Sequence, residues 1–233
     1  RTRQAPVDTA GTSSLDIART RIGVEGTVGT FLGYQLEREL NSTDPWRSAY
    51  LDFTAFKAVQ VQGGKFKLPF SLDENTGATN LDFAYRSLVA SQLSPGRDVG
   101  IMMHGQVAGR LFEYEAGGFR HDGHNASTSN LARVTGGPTG AVRVLVHPFG
   151  ATSRFEDLRL GIAATTGWLD GAEGGEGKSS LKGHTVLGTD MYQADIPVRG
   201  RRDRLGVELR WRTGPTAIRA EYIRVAEQRH GEG

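Results

Sequence analysis

Hydrophobic and polar residues alternate with a period of two along most of the chain. Between residues 204 and 212, Leu205, Val207, Leu209 and Trp211 share one face, and arginine, glutamate and glycine occupy the other. The same alternation recurs in about ten segments, among them 18–25, 28–39, 49–53 and 218–222. Because successive side chains of a β-strand point to opposite faces, this pattern predicts about ten strands and an all-β fold.

The polar faces of the predicted strands carry arginine and glutamate together, interleaved with glycine. A soluble β-sandwich exposes mostly threonine, serine and lysine, whereas charges of opposite sign suit a lumen in which they pair across neighbouring strands. The apolar faces are aliphatic, with aromatic residues near the strand ends, as in the aromatic girdles of membrane barrels. A soluble sandwich with salt-bridged faces is the alternative.

Short and long connections alternate between the predicted strands. Short links are predicted at 26–27, 56–57, 108–109, 150–154 and 213–215, and long ones at 41–47, 69–97, 120–140 and 167–201. Transmembrane barrels alternate in this way because their periplasmic turns are short and their outer loops are long. We therefore predict an antiparallel up-and-down transmembrane β-barrel, with 120–140 and 167–201 as long outer loops.

The direction of the terminal strands predicts that the barrel is partial. If the short turns are periplasmic, the first visible strand descends and the last one ascends. Bacterial single-chain barrels have an even number of strands and usually keep both termini in the periplasm. We therefore expect residues 1–233 to form a single partial barrel domain, with at least one further strand before it and one after it.

Composition excludes several other classes of protein. The chain has no cysteine, so it contains neither a disulfide scaffold nor a thiolate metal site. Its 28 basic and 26 acidic residues give a net charge of +2, too small by itself to indicate a nucleic-acid partner. No stretch approaches the roughly 20 apolar residues that a spanning helix needs.

Signals for catalysis are weak. The pair His121 and His124 lies in a polar loop, and the acidic stretch 170–177 lacks the spacing of an EF-hand. Neither a G-x-S-x-G element nor a P-loop is present. We predict that the protein is not an enzyme and needs no metal or cofactor; an outer-membrane protease of about ten strands is the enzymatic alternative. A soluble or membrane-anchored β-protein with a structural, adhesive or carbohydrate-binding role is the non-enzymatic alternative.

Four sequence stretches, in this order and at fitting spacing, resemble one protein family. They are RTRIGVEG at 19–26, AYLDF at 49–53, GKFKLPFS at 64–71 and PGRDVG at 95–100. Together they resemble the phosphate-selective porins, the porin O and P family of Gram-negative outer membranes. The resemblance implies a sixteen-stranded, homotrimeric channel in the bacterial outer membrane, in contact with lipid and lipopolysaccharide. We therefore predict a passive diffusion channel for small anionic or polar solutes, with phosphate or polyphosphate as the anions that the resemblance implies.

Basic residues around the segment 69–97 are candidates for solute binding. Past the glycine pair at 63–64, the apolar residues of the strand change phase, and a β-bulge there would aim Lys65 and Lys67 into the lumen. In porins the loop that follows often folds inward and constricts the pore, which would bring Arg86 and Arg97 to the constriction. The segment has no lysine of its own, unlike the phosphate sites that the resemblance implies.

Arginines of the predicted wall offer further candidate anion contacts, because the planar guanidinium group suits phosphate and carboxylate. The candidates are Arg19, Arg21, Arg143, Arg159, Arg204, Arg210, Arg212 and Arg219. The same faces carry a similar number of glutamates and aspartates, so pairing between the two sets is the structural interpretation. Among these arginines we assign Arg19, Arg21, Arg210 and Arg212 to solute binding.

Overall fold

The computed structural model describes residues 20–40, 46–77, 80–83, 85–123, 135–149, 155–170, 181–184, 190–194 and 200–228. Its strands are β1 (Arg21–Val28), β2 (Leu32–Glu39), β3 (Trp46–Phe56), β4 (Val59–Lys67), β5 (Arg97–Val107), β6 (Phe112–Phe119), β7 (Thr135–Gly136), β8 (Thr139–Val146), β9 (Arg159–Asp170), β10 (Leu181–His184), β11 (Asp190–Ala194), β12 (Gly200–Thr213) and β13 (Thr216–Glu227). Two short helices, α1 (Leu72–Asn75) and α2 (Leu88–Leu93), lie between β4 and β5. Neither helix is long or apolar enough to cross a membrane.

Ten strands lie side by side in chain order and antiparallel in one sheet, apart from the short strands β7, β10 and β11. The order is β1-β2-β3-β4-β5-β6-β8-β9-β12-β13, with the short β7 attached to β9 and a separate hairpin formed by β10 and β11. This topology confirms the predicted all-β, up-and-down arrangement of about ten strands and fits a β-barrel porin. The total of sixteen strands stays a prediction.

One of the predicted connections is wrong in detail, and another falls outside the described residues. The first hairpin turns at 29–31 and not at 26–27, because Thr27 and Val28 still pair with Gly33 and Leu32. The short link predicted at 150–154 lies outside the described residues. Most of 120–140 and 167–201 lies outside the described residues, and their assignment as outer loops stays a prediction.

The two faces of the sheet differ in burial, as the alternating pattern predicts. We call the face that carries Ala163 and Glu208, both buried, the inner face, and the opposite face the outer face. On the outer face, Ile22, Ile101 and Tyr222 leave 63%, 67% and 62% of their surface exposed. The described residues place no further layer over these large apolar side chains, and this is the arrangement that the outer face of a membrane barrel requires.

The predicted β-bulge at 63–64 is wrong. Residues 63–65 pair in unbroken register with both β3 and β5, so the apolar residues after them lie on the inner face. Phe66 is buried there against Met102, Phe119 and Ala141, and its ring centroid lies 5.3 Å from that of Phe119. The phase change therefore builds an apolar cluster on the inner face, where the segment after β4 leaves the sheet.

Candidate functional site

A row of arginines crosses three neighbouring strands of the inner face. Arg210 of β12 pairs directly with Arg159 of β9 on one side and with Arg219 of β13 on the other. Arg212 follows two residues later on β12, next to the turn at 214–215. Like charges placed directly opposite each other destabilise a sheet. Folding alone therefore gives no reason for this row.

Most of the row lacks acidic partners in the described part of the chain. Arg219 forms an ion pair with Asp82, at 3.0 Å between Nη1 and Oδ2. Among the described residues, no carboxylate lies within ion-pair distance of Arg159, Arg210 or Arg212; Asp157 acts on Arg210 only at longer range. Three guanidinium groups thus keep donors available for an anion.

These arginines line a cavity of about 780 Å³. Its other wall is the segment that follows β4, and the lining residues are Leu72, Asn75, Thr76, Gly77, Asn80, Leu81, Asp82, Glu113, Glu115, Arg143, Leu145, Arg159, Glu208, Arg210, Arg212 and Arg219. The cavity is large enough for a hydrated inorganic anion or a small organic one. We call the arginines 159, 210, 212 and 219 the arginine row and this space the row cavity.

Carboxylates beside the arginine row are occupied by other partners. Glu208 accepts a hydrogen bond from Arg143 Nε at 2.8 Å, and Glu115 accepts one from Arg143 Nη1 at 3.1 Å. Glu221 accepts the backbone N–H groups of Leu72 at 2.9 Å and Asp73 at 3.4 Å. Each of these carboxylates thus has at least one fixed partner, and Oε2 of Glu208 accepts no hydrogen bond from the described residues.

A second cavity, of about 560 Å³, adjoins the row cavity along the inner face. Both are lined by Glu113, Glu115, Arg143 and Leu145. The second cavity also contains His104, whose Nε2 lies 2.9 Å from Asp52 Oδ1. The two cavities together give a polar path along the inner face of β4 to β13.

The segment 68–96 reaches from β4 to strands on the far side of the sheet. Phe70 is fully buried, with 0% of its surface exposed, and packs against Ala163 of β9 and Ile223 of β13. At Gly206 of β12, an added Cβ would lie only 3.3 Å from the Phe70 ring, so glycine leaves room for this side chain. Phe70 therefore joins the segment to the inner face of three strands.

Glu74 organises the part of the segment next to the row cavity. Its side chain is buried, and Arg86 Nε lies 3.3 Å from Glu74 Oε2. Lys67 Nζ lies 4.0 Å from Glu74 Oε1 and donates to the carbonyl oxygens of Glu74 and Thr76. Arg86 also donates to the carbonyl oxygens of Asp73 at 3.0 Å and Thr76 at 2.7 Å. Both basic residues thereby fix the backbone at 73–76.

A second buried network ties the segment to β12. Arg204 donates through Nη1 and Nη2 to the two oxygens of Asp122, at 2.5 and 2.8 Å, and through Nε to the carbonyl of Leu93 at 2.8 Å. Arg202 Nη1 donates to Asp122 Oδ2 at 2.7 Å. Burial alone would raise the pKa of Asp122, but the guanidinium groups of Arg204 and Arg202 outweigh burial and hold its pKa below the ordinary value.

The structure disperses the predicted solute-binding residues over three places. Arg210 and Arg212 line the row cavity, whereas Lys67 and Arg86 hold the segment after β4. Arg21 lies on the inner face with its Nε 2.7 Å from Glu39 Oε2.

Three other predicted residues need separate mention. Lys65 pairs with Ala49 and Val99 in a row of the outer face, contrary to the orientation that a bulge would give it. Arg97 begins β5 and lies among the charges of Arg47 and Glu74. Arg19 lies outside the described residues. Solute binding by all eight residues stays a prediction.

Sequence reasoning missed two charged residues of the interior. Asp122 follows β6 in a polar stretch where a solvated aspartate is expected, and nothing in its neighbourhood signals the two arginines 80 residues or more away. Arg47 belongs to a segment predicted as a link, yet its side chain lies near Glu37 on the inner face. Within the described ranges, no group of three or more histidine, aspartate or glutamate side chains could hold a metal ion.

Comparison with known proteins adds one match. A family model described as phosphate-selective porin O and P matches residues 3–232, a range that includes every strand of the sheet. A search of the curated proteins finds no match.

Proposed function

Because the chain belongs to the phosphate-selective porin O and P family, whose members are Gram-negative outer-membrane channels and not enzymes, we propose that it is a passive diffusion channel for small anions. Phosphate or polyphosphate is the proposed solute. The proposal needs no cofactor, because diffusion along a concentration gradient requires only a passage and a favourable field in it.

The arginine row is the observation that carries this proposal. Arg159, Arg210 and Arg212 line the row cavity without an ion pair to any described carboxylate, while the neighbouring glutamates are bound to other groups. Positive groups in a narrow passage raise the local concentration of anions and oppose cations. Their planar donor groups suit the oxygens of phosphate in particular.

We extend the proposal to the segment 69–97 as the constriction of the pore. Its support is that Phe70 of the segment packs against Ala163 and Ile223 and that Glu221 accepts the N–H groups of Leu72 and Asp73, contacts that hold the segment against the inner face. Lys67, Arg86 and Arg97 would then lie at that constriction, with Lys67 and Arg86 beside Glu74. Arg21, on the inner face beside Glu39, is a further proposed contact in the same passage.

Reversal potentials in planar lipid bilayers test the proposal. The protein should form channels whose reversal potential in a KCl gradient indicates a preference for chloride, and added phosphate should reduce the chloride current by competition. The combined change Arg159→Gln, Arg210→Gln and Arg212→Gln should abolish most of this preference. The matched control is Arg224→Gln, which removes one arginine from the exposed outer face of β13.

Two outcomes would contradict the proposal. A cation-preferring channel, or one whose preference survives the triple change, would place selectivity away from the arginine row. Absence of any channel, together with binding of the protein to carbohydrates or cell surfaces, would favour the structural or adhesive alternative.

We also propose that the outer face contacts outer-membrane lipid and lipopolysaccharide and that the protein is a homotrimer. The exposed Ile22, Ile101 and Tyr222 support a lipid contact, whereas the trimer rests on the family alone. Light scattering in detergent, corrected for bound detergent, would measure the number of chains per particle.

A further inference from the structure

Asp122 is a buried aspartate that accepts three hydrogen bonds from two arginines of one strand. Arg204 and Arg202 project from the inner face of β12, and all three side chains are largely withdrawn from solvent. Arg202 also donates to Glu227 of β13 at 2.7 Å. The cluster contains two cations and two anions, so it adds no net charge to the interior.

The cluster joins three parts of the chain that are distant in sequence. Arg204 Nε reaches the carbonyl of Leu93, the last residue of α2, so β12 is bonded to the segment 68–96. Asp122 belongs to the stretch that follows β6. In that stretch, a Cβ added at Gly123 would collide with the backbone of Pro95, which shows how closely the two stretches pack.

We propose that Asp122 is a positioning residue for the pore. Through Arg204 it holds the end of α2, and with it the segment 68–96, at a fixed place over the row cavity. The inference rests on the proposed function, because it assigns Asp122 a part in setting the width of that channel. Asp122 does not line the row cavity, and its role is to keep the lining segment still.

Energetics favour a positional role over a purely stabilising one. Buried ion clusters give little net stability relative to apolar residues of the same size, because desolvation offsets their attraction. They do fix one geometry, since the planar donors of arginine accept few alternative arrangements. The bond from Arg204 to Leu93 has no function in the sheet itself. It stabilises only the position of the segment.

A charge-conserving double variant separates position from charge. Asp122→Leu with Arg204→Met removes one charge of each sign, so the formal charge of the interior is unchanged. The matched control is Asp203→Leu with Arg201→Met, which removes an ion pair of 2.8 Å from the outer face of the same strand. Both variants and the unaltered protein are measured as single channels in planar bilayers.

The double variant should show brief excursions to a higher-conductance state, with little change in reversal potential. A hydrogen bond to a charged group contributes enough that its loss should raise the time spent in this state about tenfold or more. The control on the outer face should behave like the unaltered protein. Arg204→Lys keeps the charge but loses the bond to Leu93, so it should show the same excursions for a smaller share of the time. This single variant carries the test if the double variant does not fold.

Two results would overturn the inference. If both inner-face variants conduct with unaltered noise and conductance, Asp122 does not position the segment. If their reversal potential shifts while the noise of the single-channel current is unchanged, the cluster acts on the permeating ions through its electric field and not by positioning the segment. An unaltered protein that forms no channel would instead refute the proposed function, so the two failures are distinguishable.

Discussion

Replacing Phe70 by alanine should release the segment 68–96 from the inner face. Phe70 exposes none of its surface and contacts Ala163 and Ile223 on strands far from β4 in sequence. Leu93 of the segment packs against the same cluster, and polar contacts such as the backbone N–H of Leu72 to Glu221 add to it, but neither buries a side chain as completely. Phe70 is therefore the main apolar anchor of the segment.

Two estimates give the size of the effect. A phenylalanine buries about 150–250 Å², which corresponds to roughly 4–6 kcal/mol at about 25 cal/mol per Å². Measured changes from buried phenylalanine to alanine cost about 3–5 kcal/mol. Phe70→Leu keeps most of the volume and should cost less than about 1.5 kcal/mol. Part of the loss should appear as local release of the segment, because the strands keep their own hydrogen bonds.

Phe83 offers a matched control in the same segment. Its side chain is 82% exposed, so Phe83→Ala should change the free energy of unfolding by no more than about 0.5 kcal/mol. The assay is equilibrium unfolding by denaturant in lipid vesicles, followed by tryptophan fluorescence, with protease cleavage within 68–96 as a local readout. Equal stability and equal cleavage of the two variants would refute the reasoning, because Phe70 would then hold nothing in place.

Three further predictions follow from the faces and charges of the sheet. Val207→Arg on the outer face should lower the free energy of unfolding in a bilayer by roughly 2–4 kcal/mol. Gln60→Arg beside the second cavity should lower it much less, and equal losses would contradict the assignment of Val207 to the outer face and Gln60 to the inner face. At about 5 Å, one guanidinium attracts an anion by about 0.8 kcal/mol in water before screening. Arg210→Gln should therefore lower the anion-to-cation permeability ratio about fivefold at 0.1 M salt and less than about twofold at 1 M. An effect of the same size at both salt concentrations would argue against an electrostatic role of Arg210. The pKa of Asp122 is lowered in the folded protein; its stabilising contribution is thus complete above about pH 4 and lost as pH falls through the lowered pKa. Unfolding free energy measured against pH should fall less steeply in acid for Asp122→Asn, and parallel curves would refute this.

Strand alternation together with the lengths of the connections was sufficient to predict the fold, because each strand of a barrel has one apolar face and one polar face. The pattern around Val207 and Leu209 specifies which residues share a face, and sequential pairing then follows from short connections. Phe66 is the exception to this regular pattern. The apolar residues change phase there, and the sequence analysis kept them on the outer face by predicting a β-bulge, which the register of β4 with β5 excludes. The structure keeps the register and buries Phe66 inside, because a segment enters the interior there and needs apolar contacts.

The candidate site was only partly predictable. Arg159, Arg210 and Arg219 were recognisable as inner-face residues, but their alignment depends on the register of three strands, and a shift of one residue would reverse their faces. Asp122 gave no signal at all, because its partners on β12 are distant in sequence. Periodicity therefore predicts the direction of a side chain, and only the structure shows which charges meet.

Nearly equal numbers of acidic and basic residues do not imply a neutral passage. The chain carries 28 basic and 26 acidic side chains, yet what an ion meets depends on which of them are already bonded. Glu208 is bonded to Arg143, and Glu221 is bonded to the backbone at 72–73. Arg210 and Arg212 have no such partner among the described residues and face the row cavity. We therefore expect the proposed passage to favour anions despite the balanced composition, because its unpaired guanidinium groups attract anions more strongly than the bonded carboxylates attract cations.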